Sequence, residues 1–181
     1  QTVKIYHDAI SFCIKAFEEH WDVLSTLETG NKKRFAYADA LIHSTKSNVA
    51  TYPEFDIQFH KMPSYLRFSV IHTALGYLSS YHSNLDNWWV SNTDSKAPTL
   101  QTRLNKLPTF YKGNMYLDNC DGDAVRLKLF VNNDWNWVEV SLKHTDIVSI
   151  QKHMAHAKMS VPTLEKKNKK WFLRFAFEEK V

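Results

Sequence analysis

Apolar residues recur every three or four positions in the first half of the chain and alternate in much of the second. Ile10, Cys13, Ile14, Phe17, Trp21 and Leu24 share one face of a helix that Asp8 is placed to cap and Gly30 to stop. Upstream of it, Val3-Lys4-Ile5-Tyr6 reads as a short strand. Phe35, Ala38, Leu41 and Ile42 predict a second helix over Lys33 to Thr45, followed by a loop at Tyr52-Pro53. Pro63 suits the first turn of a third helix, where its missing N–H costs nothing. That helix carries Leu66, Val70, Thr73, Ala74, Tyr77, Tyr81 and Leu85 on one face and Phe68, Ile71, Leu75 and Leu78 on another, so it is expected to pack between partners. Gly76 inside it suggests a close helix approach, since glycine there costs about 1 kcal/mol relative to alanine.

The polar segment Asn92 to Pro98 reads as a boundary. Beyond it, Val125, Leu127, Leu129 and Val131 alternate with Arg126, Lys128 and Phe130. Val138, Val140 and Leu142 resume the alternation past Asn132-Asn133-Asp134, which predicts a hairpin with one buried face. A second hairpin is expected around Asn168, between Leu164 and the run Trp171 to Phe177, with a short helix from Thr145 to Ala155 between the two. The class is α+β, helices first, and short strands separated by turns suggest a small closed or half-closed barrel.

Composition adds less than charge distribution does. A chain of 181 residues can bury a core in one domain or two small ones. Two cysteines, Cys13 and Cys120, make neither a zinc site nor a disulfide framework, and Cys13 falls on the apolar helix face. The start QTVKIYHD lacks a secretory pattern and no apolar run approaches ~20 residues, so a membrane is not expected and the cytoplasm is the default. The net charge is +4, but Asp8, Glu18, Glu19, Asp22 and Glu28 make the first helix acidic. The positive surplus therefore lies downstream: Lys96, Arg103, Lys106 and Lys112 stand in a stretch without acids, and Lys166, Lys167, Lys169 and Lys170 cluster at a turn. Such clusters suit phosphate neutralisation, although a solvated lysine face is the alternative.

The run Ala74-Leu75-Gly76, Ser79-Ser80-Tyr81, Ser83-Asn84-Leu85 and Asn87-Trp88, inside Pro63 to Trp89, resembles a helix of the transposon-encoded TnpB (OrfB) family of RNA-guided nucleases. Ala97-Pro98-Thr99-Leu100, Asn105 to Lys112, Val161 to Lys167 and Trp171 to Phe175 follow in that family's order. The resemblance implies an oligonucleotide-binding-like wedge β-barrel with residues 1–7 as its first strand and 94–181 as the rest. A helical recognition domain of three helices, 8–93, would be inserted between them. It further implies guide RNA and a double-stranded DNA target as partners. The RuvC-type nuclease half, with its divalent metal, is expected outside this chain, because two-metal hydrolysis needs converging carboxylates and no acidic pair here sits in such a strand. The chain itself is then expected to bind and not to cut, with no cofactor of its own.

Laid onto this sequence, the family's motif-reading positions are Ser64, Tyr65 and Phe68, with Tyr37 from the second helix and Thr109 or Tyr111 from the strand entering the barrel. Short polar and aromatic groups at a helix start can reach base edges and thymine methyls. The family more often shows a Lys-Phe-x-x-Gln-like set, so the motif recognised should differ. For RNA and phosphate the candidates are Lys106, Lys112, Lys166, Lys167, Lys169 and Lys170 with an aromatic platform. Trp137, Tyr111, Tyr116 and Trp171 lie on or beside basic strands, and Trp135, nearest the hairpin turn, is the foremost candidate for exposure.

Asp118 to Asp123 lacks the ligand spacing of a calcium loop and reads as a turn. His153 and His156 lack a third ligand, so no metal site is expected. Two other readings stay open. One is a nuclease-dead, RNA-guided DNA-binding repressor, and the other a protein-interaction module without nucleic-acid binding.

Overall fold

A computed structural model describes residues 1–27, 32–91, 95–118 and 124–179. The first expectation to fall is the strand at Val3 to Tyr6: helix α1 runs from Thr2 to Glu18. Thr2, Tyr6, Ala9, Ile10, Cys13, Ile14 and Phe17 are all buried on one stripe, so the helical period already starts at Thr2 and outweighs the β-branched residues at 3 and 5. Residues 1–7 are therefore no barrel strand. Asp8, expected to cap, lies mid-helix and pairs with Lys4 one turn earlier. Gly30, the expected stop, lies outside the described residues.

The chain forms two compact units. The helical unit comprises Lys4–Met62 and Arg67–Lys106. After α1 it contains α2 (Trp21–Thr26), α3 (Lys32–Ile42), α4 (Glu54–Gln58) and most of α5 (Ser64–Ser91). Its core joins the α1 stripe to Ala38, Leu41 and Ile42 of α3, Phe55 and Phe59 around α4, and Val70, Ile71, Ala74, Leu75 and Leu78 of α5. The Tyr6 hydroxyl ties α1 to α5 through Ser69 at 2.9 Å and Thr73 at 3.3 Å. Polar groups are absorbed in the same way, with His82 bonded to Glu18 at 2.8 Å and Arg67 to Asp39 at 2.9 Å. One expectation about packing changes: at Gly76 nothing stands within 4 Å of where a Cβ would be. The glycine marks no close approach.

The strand unit comprises Gln1–Val3, Pro63–Leu66 and Leu107–Val181. The units change over between Lys106 and Leu107, whereas Asn92 to Pro98, expected as the boundary, falls in the helical unit's span, with residues 92–94 outside the described ones. Strands β1 (Tyr116–Asp118), β2 (Ala124–Val131) and β3 (Asp134–Ser141) form one antiparallel sheet in that order. Helix α6 (His144–Met154) follows, then β4 (Ala157–Met159), β5 (Thr163–Lys167), β6 (Lys170–Arg174) and β7 (Phe177–Glu179), pairing as β4 with β7 and β5 with β6. The class is thus α+β with small antiparallel sheets, and among the described residues the strands close no barrel. A bridge from Thr109 to Thr163 and the bond from Phe110 N–H to the Pro162 carbonyl, 2.9 Å, lay the chain before β1 beside β5. Phe110, Met115, Tyr116, Val125 and Leu127 form the buried centre of this unit.

Candidate nucleic-acid interface

Both hairpins turn on two residues of positive φ, Asn132 and Asn133 in one, Asn168 and Lys169 in the other. This is the turn whose twist matches that of paired strands, and asparagine tolerates it better than most side chains. The turns fix the registers, and each register sets a lysine directly opposite a tryptophan: Lys128 faces Trp137 and Lys166 faces Trp171. In each pair the ammonium lies over the indole, at 5.8 Å and 5.2 Å from the ring centroid. Both rings remain in water, Trp137 at 38% and Trp171 at 50% of their full exposure. An ammonium held beside an exposed indole offers a stacking face and a phosphate partner together.

Around the second turn, Lys167, Lys170, Arg174 and Phe172 line a shallow hollow of about 630 Å³ with Asn168 and one acid, Glu165. Lys166, Lys167, Lys169 and Lys170 are all exposed there, and so is Phe172. The lysine cluster expected from sequence is thus gathered on one hairpin, next to two exposed aromatic rings. Lys112 is exposed in the same unit, lining a separate hollow with Tyr116 and Met159. Lys106 belongs to the helical unit, where its carbonyl accepts a hydrogen bond from His7 Nε2 at 2.6 Å.

Trp135 is not exposed. It retains 8% of its surface and meets Phe130 edge-on at 5.5 Å. The Phe130 N–H beside it donates to the hydroxyl of Thr2, which belongs to the same unit, at 2.9 Å. Tyr116 is likewise a core residue. The rings sequence reasoning undervalued were Trp137, Trp171 and Phe172. Counting outward from the two-residue turns would have found the first two, because the register places each against a lysine.

Of the motif-reading set, Ser64 and Tyr65 at the start of α5 and Thr109 and Tyr111 before β1 lie in the strand unit. Tyr65, 42% exposed, stands 5.4 Å from Tyr111 ring to ring, while Thr109 is engaged in the bridge to Thr163. Tyr37 and Phe68 lie in the helical unit. Phe68, 40% exposed, packs on Phe35 at 4.5 Å and His72 at 4.4 Å.

Among the described residues no group of three His, Cys, Asp or Glu side chains converges as metal ligands, and His153 lies tilted against Phe177 at 5.2 Å between ring centres. Cys120 and most of the Asp118 to Asp123 turn lie outside the described residues. No described helix is long and apolar enough to cross a membrane.

The model of the Aq_aa04 family covers residues 1–131, from the start of α1 to the end of β2. No curated protein and no solved structure matches the chain.

Proposed function

The chain belongs to the Aq_aa04 family, and from the surface of its strand unit we propose that it binds single-stranded nucleic acid, as the RNA-holding portion of a TnpB-like RNA-guided DNA endonuclease. One observation carries this reading: two hairpins independently place a lysine over an exposed tryptophan directly across the strand pair. A base stacked on either indole would bring its phosphate beside a fixed ammonium. The cluster Lys166, Lys167, Lys169, Lys170 and Arg174 extends the positive track around the second turn. In the finer reading, guide RNA lies on these hairpins. The Ser64, Tyr65 and Tyr111 group of the same unit meets the DNA motif flanking the target, and the helical unit serves as the recognition domain. Cleavage belongs to a nuclease half and its metal, and the chain's own part is binding.

The test is stacking. Trp137→Ala and Trp171→Ala should each weaken binding of a short single-stranded RNA by about 1–3 kcal/mol, the usual worth of one aromatic–base stack. Both rings are exposed, so thermal stability should hardly change. Fluorescence anisotropy with labelled RNA reads the first quantity and a melting curve the second. Undiminished affinity in the double variant would overturn the reading and favour a protein-interaction surface.

A further inference from the structure

The helical unit contains a cavity of about 730 Å³ between α3 and α5, within the size range of small-molecule sites. One wall is aromatic: Phe35 lies 4.5 Å from Phe68 and is stacked on His72 at 5.0 Å and 27°. The floor is open because α5 carries Gly76 there, where a Cβ would meet nothing within 4 Å. Ser79 and Ser80 add hydroxyls one turn further along α5.

The cavity also has a cationic side, formed by exposed Lys32 and by Arg34, which retains only 9% of its surface. The Arg34 guanidinium is incompletely satisfied. Nη2 donates to the Ser25 carbonyl at 3.0 Å and Cζ sits 5.6 Å over the Trp21 ring, but the buried Nε has no hydrogen-bond partner among the described residues. No carboxylate among them pairs with it either. A buried guanidinium with no carboxylate partner among the described residues is costly, and it leaves the Arg34 side of the cavity positive.

We infer that this cavity binds a nucleotide, the base against Phe35, Phe68 and His72, the sugar near Ser79 and Ser80, and the phosphate at Lys32 and Arg34. Burial keeps the His72 imidazole below its ordinary pKa, so a neutral ring faces the base at pH 7. The nucleotide is either free or one unpaired residue of a bound strand. The site rests on the helical unit alone and stands or falls independently of the hairpins.

The full chain should be titrated with adenosine 5′-monophosphate, with adenosine and with a short oligoadenylate, following the His72 ring resonances by NMR and heat by calorimetry. Monophosphate binding should shift the His72 signals. Gly76→Leu, whose side chain enters open space and leaves the fold intact, should weaken it by about tenfold or more without lowering the melting temperature. Lys32→Ala should weaken the monophosphate and leave adenosine unchanged. An oligoadenylate that shifts His72 at far lower concentration than the monophosphate assigns the site to a strand, and equal potency assigns it to the free nucleotide. No shift from either ligand, or shifts that survive Gly76→Leu, would overturn the proposal. Because Trp137→Ala and Trp171→Ala leave this cavity intact, loss of RNA binding there with the monophosphate response retained separates the two readings.

Discussion

His72 shows how much a single side chain's surroundings decide. Its imidazole is stacked on Phe35 and touches Phe68, and the partial loss of water holds its pKa below the ordinary histidine value. The neutral form is thus favoured in the folded state. In the unfolded chain the ring takes up its proton near pH 6.5, so between that value and the lower folded one the unfolded state binds more protons. This contribution to stability is full above pH 6.5 and is lost as the pH falls through the folded value. Urea midpoints of His72→Gln should therefore fall less steeply than those of the wild type from neutral to mildly acidic pH, and parallel curves would contradict the assignment. Cys13 is the plainer case. It was legible from sequence as a core residue, and complete burial does push its thiol well above the ordinary range. Phe68 was legible only as an aromatic on α5, because nothing in the pattern showed that Phe35 and His72 would flank it.

Among elements, periodicity placed α3, α5 and α6, missed the break at Glu19-His20 that divides the first expected helix into α1 and α2, and failed where two periods overlap. Lys33 to Thr45 and Thr145 to Ala155 match α3 and α6 to within a few residues, and α5 starts directly after Pro63. Val3 to Tyr6 failed because an alternating tetrapeptide is too short to outweigh a helical stripe that reaches back to Thr2. Both hairpin turns were legible, since asparagines between alternating runs mark a two-residue turn, but the second hairpin ends at Arg174 and Phe177 pairs with Met159 of β4 instead. Asn133 sits at φ 59°. Asn133→Val, which puts a β-branched residue in the left-handed region, should destabilise the chain by about 1–2 kcal/mol. Asn133→Gly should be neutral or slightly stabilising. Chemical denaturation compares the two, and equal stability would show that the turn is not held as described.

At the level of the whole molecule, the fold class was in the sequence and its closure was not. Short alternating strands give an α+β chain with antiparallel pairs, but which pairs join into one sheet depends on contacts far apart in sequence, and here the sheets remain separate among the described residues. The exposed face of the strand unit was half legible: the lysines were found, and the rings beside them depended on register. That face is where the functional account is tested most directly. The decisive measurement is the salt dependence of single-stranded RNA affinity for the wild type and for a Lys128→Ala, Lys166→Ala double variant. If both ammonium groups meet phosphates, the wild-type affinity falls steeply with salt, and the double variant is weaker at low salt with a slope shallower by about 0.7 per lost contact. An identical slope and affinity in the two proteins would contradict the claim that these hairpins hold a nucleic-acid strand.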